Sequence, residues 1–214
     1  IGVEILDGVV SLTPAANWNG AETIEFTATD NDDASVSDDV TVTIDYVNDA
    51  PTVAVPLVDF DFDEDTVDSS IDLDDVFADL DLVYGDVLTY TWTGNSYIDV
   101  SETDGVVTLT PMADWYGAET IEFTATDNAD EFITDDVVVT INNVNDAPTI
   151  DLPETYSFAE DVPVEVDYEG YIDDVDIWEP ADELTLTADG FTNIGVAIEG
   201  FMVTYSNVEN WNGT

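Results

Sequence analysis

The chain is organised around the sequence TPMADWYGAETIEFTATDN, which occupies Thr110–Asn128. Almost the same sequence, TPAANWNGAETIEFTATDN, occupies Thr13–Asn31, and the two copies differ at only three positions. A third, diverged copy, Asn-Trp-Asn-Gly, lies at 210–213. The offset between Trp18 and Trp115 is 97 residues. Because a repeat of this length has the size of a domain rather than of a solenoid turn, the sequence predicts tandem domains.

The linker sequence Val-Asn-Asp-Ala-Pro-Thr recurs at 47–52 and 144–149. Its proline lacks a backbone donor and restricts the residue before it, so these linkers mark the domain boundaries. We therefore predict the second half of one repeat at 1–50, a complete repeat at 51–147 and the first half of a further repeat at 148–214.

Strand-like segments with a period of two fill the complete repeat and are rich in β-branched residues. The clearest are Val106–Thr110, Glu119–Ala125 and Val137–Ile141. The hairpin signal Asp104-Gly105 precedes the first of them. About seven short strands per repeat with frequent turn signals predict an all-β fold of tandem Ig-like antiparallel β-sandwiches.

The charge of the chain is one-sided. It contains 51 aspartates and glutamates, no lysine, arginine or histidine, and has a formal net charge of −51. Because no side-chain cation is available, the neutralising charge must come from outside, and clustered oxygen ligands favour hard divalent cations, Ca²⁺ first. The same composition excludes nucleic acid and anionic lipid as direct electrostatic partners, since both require basic residues.

Several other classes of function are disfavoured. The chain has no cysteine, so a bound metal is the expected substitute for disulfides. No apolar stretch approaches the roughly 20 residues needed to cross a bilayer, and we expect no direct membrane insertion. No cationic signal sequence is visible, which favours a mature piece or an internal window of a longer chain. Without histidine, cysteine or lysine the usual catalytic bases and nucleophiles are missing, so we predict that the protein is not an enzyme.

Acidic motifs recur in register with the repeat. An Asp-x-Asp motif gives Asp79 and Asp81, and returns as Asp174 and Asp176. No single motif supplies the six to eight oxygens that Ca²⁺ prefers. Motifs from the end of one domain, the linker and the start of the next can converge at a domain junction, so we expect the sites there.

The repeated tryptophan segment and the Asn-Asp-Ala-Pro linkers resemble the tandem cadherin-like repeats of large bacterial surface and secreted proteins, over essentially the whole chain. The resemblance implies Ca²⁺ bound between successive domains, with ligands from an early glutamate, the linker, the Asp-x-Asp and a strand end. In this sequence these are Asp30, Asp45, Asn48, Asp49, Glu64, Asp79, Asp81, Asp127, Asn145, Asp146, Glu160, Asp174 and Asp176.

The linkers also depart from the classical cadherin pattern. Aligned on the proline they carry Asn-Asp in place of Asp-Asn, Val47 and Val144 replace the preceding asparagine, and the middle Asp-Arg-Glu motif is absent. Fewer ions per junction are therefore expected.

These observations favour a calcium-rigidified stalk or extender of a large adhesin-like protein at the cell surface or secreted, whose partners are neighbouring repeats of the same chain. Since the start of the chain aligns with its end, an alternative is an extracellular filament whose copies complete each other's half-domains by strand addition. A further alternative is a carbohydrate-binding module whose sugar-stacking rings would be Trp18, Trp115 and Trp211, with Tyr116 beside the second, although such tryptophans more often anchor a core. The receptor or glycan ligand stays open.

Overall fold

The computed structural model describes residues 1–159, 162–177 and 183–207. The chain divides into two compact units, Ile1–Asn142 and Asn143–Thr214. In the first unit the strands are β1 (Gly2–Leu6), β2 (Val9–Thr13), β3 (Gly20–Thr29), β4 (Ser35–Ile44), β5 (Thr52–Val53), β6 (Phe60–Asp63), β7 (Phe77–Ala78), β8 (Thr89–Thr93), β9 (Ile98–Thr103), β10 (Val106–Pro111), β11 (Gly117–Thr126) and β12 (Phe132–Asn142). Its helices are α1 (Leu73–Val76) and a 3-10 helix (Leu80–Tyr84).

The strands of the second unit are β13 (Thr149–Ile150), β14 (Val164–Asp167), β15 (Ile172–Asp173), β16 (Ile194–Glu199) and β17 (Met202–Asn207). A 3-10 helix spans Glu169–Tyr171. β17 pairs with both β14 and β16, antiparallel in each case. The prediction of an all-β fold is confirmed.

The complete repeat of the first unit is a sandwich. Its larger sheet has the order β6-β12-β11-β8, and the β9–β10 hairpin lies in the other layer. On β11 the alternating side chains Ile121, Phe123 and Ala125 are fully buried while Glu122 is exposed, as the period-two pattern predicts. The core is formed by Ile71, Leu73, Val76, Phe77, Ile98, Val100, Val107, Leu109, Ile121, Phe123, Ala125, Val137, Val139 and Ile141.

The repeated Trp-x-Gly motif has a steric basis. Gly117 has a φ of +149°, and a Cβ atom there would lie 2.9 Å from Cζ2 of Trp115. At the first copy, Gly20 has a φ of +138° and the corresponding distance to Trp18 is 3.1 Å. Only glycine lets the strand start this close to the indole ring. Trp115 in turn packs against the core, as expected of an anchor.

Residues 1–44 repeat the last four strands of the complete repeat. The pairing of Ile24 with Val40 corresponds to that of Ile121 with Val137. The exposure of equivalent side chains differs, however: Val40 is 42% exposed, whereas Val137 is fully buried. In the complete repeat the equivalent face is covered by Ile71, Leu73, Val76 and Phe77 of its first half.

Candidate metal centre

The first linker is bound to the Asp-x-Asp motif of the complete repeat. The backbone N–H of Asp49 donates to Oδ2 of Asp81 at 2.6 Å. Asp79 is the N-cap of the 3-10 helix, and its Oδ1 accepts from the N–H of Asp81 at 2.7 Å. The Asp-x-Asp spacing therefore places one carboxylate as the cap and the other in the first turn, where it reaches the linker.

A third carboxylate joins this pair because the 3-10 helix ends abruptly. Gly85 has a φ of +100°, and the next residue, Asp86, donates its N–H to the carbonyl oxygen of Asp81 at 3.2 Å. As a result Asp79, Asp81 and Asp86 each offer an oxygen within 4.8 Å of the other two. Oδ1 of Asp86 accepts from the backbone N–H groups of Val87 and Asn128.

Two oxygens in this cluster are buried and accept no hydrogen bond. They are Oδ2 of Asp79 and Oδ2 of Asp86. Burying a carboxylate oxygen without a donor is unfavourable. Accordingly, burial raises the pKa of Asp79, and the charges of Asp81, Asp86 and Asp127 raise it further, against the opposing hydrogen bond from the Asp81 N–H. Two buried oxygens without donors, in a group of three carboxylates, suit a hard divalent cation.

The loop after β11 brings Asp127 to the linker. Nδ2 of Asn48 donates to Oδ2 of Asp127 at 2.9 Å and to Oε2 of Glu131 at 3.1 Å. Oδ1 of Asp127 accepts from the N–H groups of Ala129 and Glu131, both at 2.8 Å. The Asn48 hydrogen bond lowers the pKa of Asp127 most, and the backbone donors lower it further, while burial opposes them. Asp127 is therefore held as a carboxylate beside the cluster.

The linker residue Tyr46 borders the same cluster. Its side chain is 48% exposed, but desolvation of the hydroxyl raises the pKa of Tyr46 to about 12, with help from a hydrogen bond to Asp81 and from the charges of Asp81, Asp86 and Asp79. The phenol is thus a neutral hydrogen-bond donor at any ordinary pH.

The second unit builds the same linker contacts from the second copy of each motif. Nδ2 of Asn145 donates to the carbonyl oxygen of Asp146 at 2.7 Å, as Asn48 does to Asp49 at 3.1 Å. The N–H of Asp146 donates to Oδ2 of Asp176 at 2.6 Å, and the N–H of Asp176 to Oδ1 of Asp174 at 2.9 Å. Asp174 and Asp176 are 7% and 5% exposed. Two linkers with the same motifs therefore fold in the same way.

Other predicted ligands lie elsewhere. Glu64 is 2% exposed, and its N–H donates to the carbonyl oxygen of Asn142 at the end of β12. Since β12 has 11 residues, Glu64 lies about 30 Å along it from the Asp127 loop. Asp30 forms the same turn as Asp127, but it is exposed and at the end of β3–β4 away from the linker.

The structure thus brings together five predicted ligands of the first unit: Asn48, Asp49, Asp79, Asp81 and Asp127. Asp45 is exposed, and with Asp49 and Asp81 it lines a cavity of about 350 Å³ beside them. Glu160 lies outside the described residues. That any of these residues binds Ca²⁺ stays a prediction.

Sequence reasoning missed Asp86, Glu131 and Tyr46. A signal existed for Asp86, since an aspartate also follows the second Asp-x-Asp, at Asp182, which lies outside the described residues. Neither Glu131 nor Tyr46 carries such a signal. The second linker, for example, has Asn143 at the position equivalent to Tyr46.

Comparison with known proteins identifies the fold but no family. No family model and no curated protein matches the chain. Human mucin-like protocadherin EC1-2 is 15% identical with a TM-score of 0.50, over 66% of this chain and 78% of that one. PcdhgB3 EC1-4 is 13% identical, also with a TM-score of 0.50, over 93% of this chain and 51% of that one. These similarities show a cadherin-like β-sandwich fold.

A third similar structure is an endo-fucoidan hydrolase from glycoside hydrolase family 107, 19% identical with a TM-score of 0.38, over 96% of this chain and 32% of that one. The chain therefore spans about a third of the hydrolase, and the low TM-score carries no argument about function. In the part of the chain that the structure describes, no helix has the length and apolar character required to cross a bilayer.

Proposed function

We propose that this chain is a calcium-binding extender segment of a large extracellular, adhesin-like repeat protein, structural rather than catalytic. The observation that carries the proposal is the pair of buried oxygens without donors on Asp79 and Asp86, grouped with the Asp81 carboxylate to which the linker is bound. The cadherin-like fold and the absence of side-chain cations from the sequence support it.

Ca²⁺ would supply the positive charge that the sequence lacks. Asp79, Asp81 and Asp86 would hold it, with Asn48 and Asp127 beside them, and their donor set of carboxylate and amide oxygens fits this ion. The linker is already tied to this group through the Asp49 N–H and the Asn48 amide. Neutralising the carboxylates would therefore fix the linker, and with it the preceding repeat, to the complete repeat.

The second linker has the same hydrogen bonds on Asp174 and Asp176, so we extend the proposal to it. Extracellular modules of this kind bind Ca²⁺ at roughly 10⁻⁴–10⁻³ M. A rod of such repeats would be stiff where calcium is abundant and more flexible where it is removed.

The test is isothermal titration calorimetry of the full chain with CaCl₂, and with MgCl₂ for comparison. We expect saturable calcium binding that is weakened at least about tenfold at one site by Asp86→Asn, since this substitution removes a charged ligand. Asp99→Asn, which removes an exposed carboxylate on β9, is the matched control. Equal binding by both variants, or no calcium binding, would exclude the proposed site.

The carbohydrate-binding alternative has less support. Trp115 is stacked on Tyr97, with ring centroids 5.1 Å apart and an interplanar angle of 6°, and the backbone of Gly117 lies against the indole ring. These contacts occupy surface that a stacking platform for a sugar would need free.

A further inference from the structure

A tyrosine of the complete repeat reaches back into the preceding repeat. Tyr84, the last residue of the 3-10 helix, donates a hydrogen bond from its hydroxyl to the carbonyl oxygen of Asn17 at 3.3 Å. Asn17 lies in the loop before Trp18 and has a φ of +56°. This contact joins the loop of one repeat directly to the next repeat, without any carboxylate.

The ring of Tyr84 also meets the linker. It packs edge-to-face on Tyr46, with ring centroids 6.3 Å apart and an interplanar angle of 67°. This is a favourable geometry for two aromatic rings. Tyr84 therefore contacts both the preceding repeat and the linker that leaves it.

Tyr46 continues these contacts to the loop after β11. Its hydroxyl donates to Oδ1 of Asn48 at 3.2 Å, and the Nδ2 group of the same amide donates to Asp127 and Glu131. The contacts from Asn17 through Tyr84 and Tyr46 to Asn48 thus span the junction, and none of them needs a metal ion.

We propose that Tyr46 and Tyr84 form a metal-independent clasp, which keeps the preceding repeat oriented on the complete repeat when the carboxylate cluster holds no cation. The clasp opposes the repulsion among Asp79, Asp81 and Asp86. The linker therefore stays in contact with these carboxylates before a cation binds. A neutral hydrogen bond and an edge-to-face aromatic pair together shift such an equilibrium by about tenfold. The proposal concerns the same junction as the calcium site but does not rest on calcium binding.

The clasp is a property of the first linker, since the second has Asn143 where the first has Tyr46. The sequence has no native cysteine, so pairs of spin labels can be introduced without background. We would label the full chain through Ser11→Cys and Glu122→Cys, both at exposed strand positions, one in each repeat of the first unit. Pulsed electron paramagnetic resonance then gives the distribution of label distances across the first junction.

In excess chelator we expect a major distance from closed junctions and a minor population of open junctions in the otherwise unchanged chain. Tyr46→Ala combined with Tyr84→Ala should broaden the distance distribution and lower the ratio of closed to open junctions about tenfold. The ratio in Tyr84→Phe should lie between those of the native sequence and the double variant. Tyr97→Phe, which removes another half-exposed hydroxyl but keeps the stack on Trp115, is the matched control and should leave the distribution unchanged.

An unchanged distribution in the double variant, or equal broadening in Tyr97→Phe, would overturn the clasp. Tyr84→Phe removes only one oxygen atom and so tests the proposal even where the double variant folds poorly. Calcium titration of the same samples is read separately, so failure of the calcium site and failure of the clasp give different results.

Discussion

Replacing Asp81 by asparagine should have opposite effects on stability with and without calcium. The Asp81 side chain is 3% exposed, and one of its oxygens lies within 4.8 Å of oxygens of Asp79 and Asp86. Two unit charges at that separation repel by about 3 kcal/mol at an effective dielectric constant of about 20. Because water and dissolved ions reduce this repulsion, we expect Asp81→Asn to stabilise the cation-free protein by about 1–3 kcal/mol. The asparagine oxygen can still accept the hydrogen bond from Asp49.

With calcium the order should reverse. A site with a Kd of roughly 10⁻⁴–10⁻³ M stabilises the folded state by about 1.4–2.7 kcal/mol at about 10 mM free calcium. If the loss of one charge and one ligand weakens binding about a hundredfold, the same calcium stabilises the variant by less than about 0.5 kcal/mol.

Thermal unfolding of the full chain, followed by tryptophan fluorescence in calcium and in excess chelator, measures both effects. At about 2–4 °C per kcal/mol, calcium bound at the first linker should raise the Tm of the first unit by about 3–10 °C in the native sequence and by less than about 2 °C in Asp81→Asn. Calcium bound at the second linker should stabilise the second unit equally in both proteins. Asp99→Asn makes the same charge change on the exposed face of β9 and should keep the full calcium shift. A lower Tm of the first unit of Asp81→Asn in chelator, or a full calcium shift of that unit in this variant, would contradict the predicted repulsion and the predicted calcium site.

Three further predictions concern pH, packing and the second linker. Burial raises the pKa of Asp79 above its ordinary 3.8, so the folded state holds this proton to higher pH than the unfolded chain. In chelator the free energy of unfolding should therefore fall as pH rises from 3.8 through the raised pKa, and urea titrations should show a smaller fall in Asp79→Asn. Gly117→Ala should cost about 1–3 kcal/mol in urea unfolding, because its Cβ would lie 2.9 Å from Trp115, whereas Gly8→Ala, with a φ of +80° and open space, should cost about 1 kcal/mol or less. Asp176→Asn should remove one calcium site in calorimetry and leave the site of the first linker intact, and loss of both sites would contradict the assignment of one site to each linker.

The fold could be predicted from the sequence because its signals are local and repeated. Alternation on Ile121, Phe123 and Ala125 is visible in the sequence, and these side chains are buried. The four-residue helix α1 could not be predicted, because one turn shows no helical period. It forms since Asp72 caps it by accepting from the Asp74 N–H, and Leu73 and Val76 are buried in the core.

The site could be predicted only in part, for a geometric reason. Recurrence in register identified Asn48, Asp49, Asp79, Asp81 and Asp127, which the structure places together. Asp86 reaches the cluster through the left-handed conformation of Gly85, and Tyr46 through the orientation of the linker. The orientation of the linker leaves no spacing in the sequence, and Asp86 leaves only an inexact one, since Asp182 follows its Asp-x-Asp motif one residue later than Asp86 does. Asp30, in contrast, shares its motif with Asp127 but is exposed at the other end of its hairpin.

Small-angle X-ray scattering of the full chain and of Asp81→Asn, in calcium and in excess chelator, would measure directly whether calcium stiffens the linkers. We expect calcium to narrow the pair-distance distribution of the native sequence, because neutralised carboxylates fix the linkers. The change in Asp81→Asn should be smaller, since only the second linker can respond. Identical scattering of the native sequence in calcium and in chelator would contradict a calcium-rigidified extender.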